Sequence, residues 1–101
     1  MYGLKENTVK NIKDIFSQFE KIEKAILYGS RAKGNYRNGS DIDITLFGDG
    51  LKLNIVYKLQ DKLDELNLPY IFDISIFKQI DNKNLIKHIN RVGKVFYSIE
   101  K

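Results

Sequence analysis

Two acids, Asp41 and Asp43, open an otherwise apolar run, Asp-Ile-Asp-Ile-Thr-Leu-Phe, over residues 41–47. Strict alternation of this kind specifies a β-strand. With a side-chain period of two, Asp41, Asp43 and Thr45 share one face, and Ile42, Ile44 and Leu46 share the other. The apolar face can pack on helices. Both carboxylates then stand together at one strand end.

Upstream lies a shorter apolar strand, Lys24-Ala-Ile-Leu-Tyr28, stopped by Gly29-Ser30. Glycine permits a tight turn and close approach of the backbone to a ligand. Arg31 to Asn35 can form a short helix whose first amides point back at that turn. Such amides attract phosphate through unpaired donors and the helix dipole. Asn35 to Ser40, with Asn-Gly at 38–39, has loop chemistry. Ten residues separate Ser30 from Asp41.

The rest of the chain reads as scaffold. Val9, Ile12, Phe16 and Phe19 share one helical face, predicting a helix over 7–22 capped by Asn7 or Thr8. Val56, Leu59, Leu63 and Leu66 predict another over 51–67, stopped at Leu68-Pro69. Residues 70–77 read as a third strand, with Phe72, Ile74 and Ile76 on one face and Ile71, Asp73 and Ser75 on the other. Asp73 is a lone acid amid apolar residues. Leu85, Ile86, Ile89 and Val92 predict a last helix over 82–92, with Gly93 as its C′ residue. The tail, 94–101, fits either strand or helix.

The expected fold is therefore α/β (α+β), with a small mixed β-sheet and helices packed on one face. The first two strands, joined by a loop, pair antiparallel, and the helix between the second and third permits a parallel crossover. At 101 residues, 1–101 is expected to be a single domain.

Composition narrows the chemistry. There is no cysteine, so thiolate metal sites and disulfides are excluded. No apolar run approaches the roughly 20 residues of a membrane span. A soluble, cytoplasmic protein without membrane association is expected. The net charge of +4 suits a phosphate-bearing ligand or an acidic partner. The basic residues are interleaved with acids rather than clustered, so direct nucleic-acid binding is not expected.

Two acids on one strand face repel unless a positive charge lies between them. Magnesium wants oxygen ligands and keeps positions open for phosphate oxygens. Two such ions can clamp the attacking and leaving oxygens around a phosphorus. Asp73 is the acid whose strand placement lets it complete the site and help deprotonate an attacking hydroxyl. Gly29 and Ser30 supply amides and a hydroxyl for a triphosphate, with Arg31, Lys33 and Arg37 near in sequence. Phosphoryl-type transfer depends chiefly on positioning and charge neutralisation, which this kit provides.

The pattern Gly29-Ser30, ten residues, Asp41-Ile42-Asp43 resembles the signature of the DNA polymerase β-like nucleotidyltransferases. The small size and the run Gly-Ser-Arg-Ala-Lys-Gly…Ser-Asp-Ile-Asp resemble the minimal (MNT) branch. The resemblance implies Asp41 and Asp43 as ligands to two Mg2+ ions and Asp73 as the third catalytic and metal-binding carboxylate. It implies Gly29, Ser30, Arg31 and Ser40 as nucleotide-binding residues. The implied donor is ATP or another nucleoside triphosphate, with pyrophosphate leaving. The implied partner is a helical HEPN-type toxin, and the implied reaction attaches AMP to a tyrosine of it, making the chain an antitoxin.

Other readings have their own signatures. A non-catalytic antitoxin would neutralise its partner by masking it, and neutralisation would survive loss of the acids. Transfer to a small molecule or an RNA end would call for an acceptor domain that a chain this short leaves no room for. His88 reads as a surface or partly buried histidine of the last helix. Tyr36 reads as a loop residue that packs locally or stacks on a base.

Overall fold

The computed structural model describes residues 1–99. The chain runs α1 (Glu6–Ser17), β1 (Lys24–Tyr28), α2 (Ser30–Lys33), β2 (Ile42–Phe47), α3 (Leu53–Asp64), β3 (Phe72–Ile76), α4 (Lys83–Val92) and β4 (Lys94–Ser98). A 3-10 turn, Phe77–Gln79, follows β3. The strands form one mixed sheet in the order β3-β2-β1-β4. β1 pairs antiparallel with both β2 and β4, while β2 and β3 run parallel across α3.

Alternation decides what lies beneath the sheet. Ala25 and Leu27 of β1, Ile42, Ile44 and Leu46 of β2, and Phe72 and Ile76 of β3 join one buried cluster. Against them pack Val9, Ile12, Ile15 and Phe16 of α1 and Val56, Leu59 and Leu63 of α3. Each Val, Leu, Ile or Phe among them contributes about 1.5–3 kcal/mol when fully withdrawn from water.

Both long helices are shorter than their apolar periodicity. α1 ends at Ser17, and Phe19 reaches the core from a turn instead, its amide bonding Phe16 O at 3.1 Å. The chain must turn there so that Ile22 can fill the core and Glu23 can join the sheet, its amide bonding Phe47 O at 2.9 Å. Neither Asn7 nor Thr8 caps α1. The N-cap is Lys5, with no side-chain bond, and buried Leu4 anchors the entry. α4 does have a side-chain cap: Asn82 Oδ1 accepts from the amides of Asn84 and Leu85, at 2.9 and 3.1 Å.

Of the tail 94–101, open between strand and helix in the sequence, residues 94–98 form edge strand β4, and 100–101 lie outside the described residues. The register slips between Ala25 and Ile26, so Phe96 is an extra residue in the ladder. Phe96 and Tyr97 both reach Phe16, with ring centroids 6.0 and 5.7 Å apart.

The expectation of helices on one face holds for α1 and α3. α4 departs from it. Ile89 is buried but lies outside the main cluster, and His88 meets the ring of Tyr28 edge-on at 6.2 Å. Tyr28 and Ile26 alternate with core-facing Ala25 and Leu27, so α4 covers the sheet's opposite face over β1. Nor is Gly93 the left-handed C′ residue expected, having φ −60° and ψ 143°. Its smallness serves close approach instead, because a Cβ there would meet Ile89 O and lie 2.7 Å from Ile26 Cγ2. Gly93→Ala should therefore destabilise the fold by about 1–3 kcal/mol, as overpacking does. Urea denaturation measures this, and an unchanged midpoint would mean that α4 sits farther from β1.

Candidate active site

Three strands bring the acids together. β2 carries Asp43 on the face away from the core, and Asp41 stands exposed just before it. In the parallel register Asp43 lies directly beside Asp73 of β3. In the antiparallel register it lies beside Tyr28, the last residue of β1. Asp73 is exposed because β3 is a sheet edge.

The Gly-Ser turn abuts the same point. Gly29 has φ 75° and ψ −156°, a conformation that residues with a Cβ rarely adopt. A Cβ at Gly29 would also run into Oδ2 of Asp43. Glycine thus lets the turn close onto the acid. Ser30 follows as the first residue of α2, which ends at left-handed Gly34, whose amide bonds Ser30 O at 2.9 Å.

The charges respond to this crowding. The Asp43 carboxyl is held above the usual carboxylate range, first by burial, then by Asp73, then by Asp41. His88, on α4, acts in the opposite direction. Burial raises the Tyr28 phenol, Ser75 lowers it, and Asp73 and Asp43 raise it. Asp41 and Asp73 thus both act on Asp43.

One row behind the acids, Thr45 and Ser75 are register partners. Their hydroxyl oxygens are buried and have no hydrogen-bond partner of good geometry, although Ser75 adjoins the Tyr28 phenol. Tyr28, Thr45, Ser75 and His88 were not singled out as site residues from sequence. Alternation does signal Thr45 and Ser75, which share faces with Asp43 and Asp73. Nothing local signals His88, which arrives only because α4 crosses that face.

The fit to a divalent cation can be judged from the donors. All are hard carboxylate oxygens, the kind magnesium selects. Among the described residues they are not already gathered into a three-ligand cage. The carboxyl of Asp43, raised by burial and by Asp73 and Asp41, marks a place where added positive charge would be favourable. The residues fit such an ion.

Two expected nucleotide-binding residues make hydrogen bonds within the chain. Arg31 is only 2% exposed. Its Nε and Nη2 donate to Ser40 O at 3.1 and 2.9 Å, and its Nη1 donates to Tyr2 O at 2.9 Å. These bonds engage three of the five N–H donors of Arg31. Ser40 builds the turn before Asp41: its Oγ accepts from the Arg37 amide at 2.8 Å, and its own amide donates to Arg37 O at 3.0 Å. Tyr36 packs on Gly3 and lies 5.3 Å from the Arg31 guanidinium, the local packing role of the two weighed for it.

The architecture is shared with known proteins. A toxin–antitoxin complex with AMP-PNP superposes with a TM-score of 0.71 at 21% identity, over 96% of this chain and 76% of that one. The MntA-HepT toxin–antitoxin gives 0.69 at 18% identity, over 94% and 74%. A complex of the tri-AMPylated Shewanella oneidensis HEPN toxin with its MNT antitoxin gives 0.62 at 18%, over 91% and 73%. At these identities the likeness is one of fold. No protein of curated function matches the chain in sequence. Residues 10–101, however, match the family "Polymerase beta, Nucleotidyltransferase", and the chain belongs to that family.

Proposed function

We propose that this chain is a magnesium-dependent nucleotidyltransferase of the minimal type. It moves AMP from ATP to a tyrosine hydroxyl on a helical HEPN-type partner and so acts as its antitoxin. The observation that carries the reading is the placement of Asp43 beside Asp73, with Gly29 closed onto the Asp43 carboxylate. The structurally similar complexes that contain AMP-PNP or an AMPylated HEPN toxin support the donor and the partner.

In this reading Asp41 and Asp43 hold the cations, and Asp73 completes the set. When bound, these ions supply charge neutralisation for the triphosphate and lower the proton affinity of the attacking hydroxyl. The amides at Gly29 and Ser30 and the Ser30 hydroxyl hold the phosphates in line. Asp73 accepts the proton as the tyrosine oxygen bonds the α-phosphorus and the bond to pyrophosphate breaks. Positioning and neutral charge balance carry most of such a reaction.

The acids should be essential and not structural. Asp41→Ala/Asp43→Ala should lower label transfer from α-labelled ATP to the partner by roughly 10³-fold or more while the fold is kept. A masking antitoxin would still neutralise its partner after this change. Gly29→Ala should cost about 10²-fold in transfer, because the turn must open away from Asp43. Full transfer by Gly29→Ala, measured in the same assay, would argue against contact between the turn and the acids.

The raised Asp43 carboxyl gives a pH test. A carboxyl that binds protons more tightly in the folded chain makes ionisation count against folding. That deficit is absent below the ordinary value of 3.8 and grows as pH rises through the raised folded value. In chelator, Asp43→Asn should melt above the unsubstituted protein at about pH 7 and converge with it towards about pH 4. Saturating Mg2+ should reverse the order at neutral pH. Parallel melting curves across this range would remove the like-charge cluster from the reading.

A further inference from the structure

Arg31 is a buried charge without an acidic partner. Among the described residues the ion pair formed is Lys78–Asp49, far along the chain from it. Three of its five N–H donors go to backbone carbonyls, Ser40 O twice and Tyr2 O once. Its guanidinium lies near two rings, 4.7 Å from the centroid of Tyr70 and 5.3 Å from that of Tyr36. Burying an unpaired cation is costly, so this arrangement persists only because the carbonyls and ring faces replace its water.

The contacts join segments that share no regular hydrogen-bond ladder. Arg31 is the second residue of α2, next to Ser30 and the Gly29 turn. Ser40 immediately precedes Asp41, and its carbonyl takes both arms of the fork. Tyr36 belongs to the intervening loop, Tyr70 precedes β3, and Tyr2 lies in the N-terminal turn. The ten-residue span between the Gly-Ser pair and the first acid is thus bridged from inside.

We infer that Arg31 is a positioning residue that sets the distance between the Gly29–Ser30 turn and Asp41, and through that distance the affinity of the site for a cation–nucleotide pair. This rests on the reading of the site given above. Lysine cannot replace it: an ammonium is a point donor that lacks the planar fork and stacks poorly. Residues that orient metal-binding side chains from behind typically govern affinity by about 10–100-fold.

The test uses the full chain with Arg31→Lys, and with Val56→Ala, a core truncation on α3, as a control for lost stability. Two quantities are read: hydrogen exchange along the chain, and the affinity for Mn2+ with AMP-PNP by titration calorimetry. Arg31→Lys should bind about tenfold or more weakly. Its amides over 36–42 should exchange faster while those of α1 and α3 are unchanged, and Val56→Ala should do neither. If Arg31→Lys behaves like Val56→Ala in both readouts, Arg31 is a packing residue only and the inference is overturned. If the unsubstituted protein binds no Mn2+–AMP-PNP while Arg31→Lys still loosens 36–42 alone, the nucleotide reading fails and the bridging role stands. If Arg31→Lys does not melt cooperatively, Tyr70→Leu, which removes one ring face and leaves the hydrogen bonds, is read in its place with the same outcomes.

Discussion

The register of β2 is the constraint on which everything else depends. Its apolar side, Ile42, Ile44 and Leu46, is fully buried against α1 and α3. A slip of one residue would turn that side to water and drive Asp43 into the core. The same burial that stabilises the sheet therefore dictates which way the acids point. Parallel pairing with β3 carries the constraint across to Asp73, and antiparallel pairing with β1 carries it to the Gly29 turn. The site is a by-product of a register that hydrophobic burial enforces.

The site works against the fold that holds it. An acid raised by burial and by two neighbouring acids, and a buried Thr45 hydroxyl without a partner of good geometry, are what a stability-optimised sheet avoids. Such departures from local consistency concentrate where a protein binds or reacts. Here they sit on the face opposite the main core, where their cost is borne by the packing on the other side. α4 adds a second covering over β1 and leaves Asp41 and Asp73 exposed.

Arg31 shows how the fold engages a residue whose place in a motif says nothing of its burial. Its place after Gly-Ser and its charge both suggested contact with phosphate. In the fold the charge is buried and meets carbonyls and ring faces inside the molecule. Its neighbour Ser40 is likewise absorbed into the turn that delivers Asp41. A polar loop of this length needs such internal fastening, because its backbone groups have no ladder to satisfy them.

By itself the sequence determined the strand faces, the glycine turn and the existence of α1, β1, β2, α3, β3 and α4. These depend on local rules: a period of two or 3.6, and the φ freedom of glycine. The family was legible for the same reason, since its signature is a local spacing. Only the tertiary structure decided where α1 stops, that residues 94–98 pair as an edge strand, and that α4 crosses the acid-bearing face with His88. It alone decided that Arg31 is buried and that Thr45, Ser75 and Tyr28 stand behind the acids. Those outcomes depend on which distant surfaces compete for burial, and no window of neighbouring residues contains that competition.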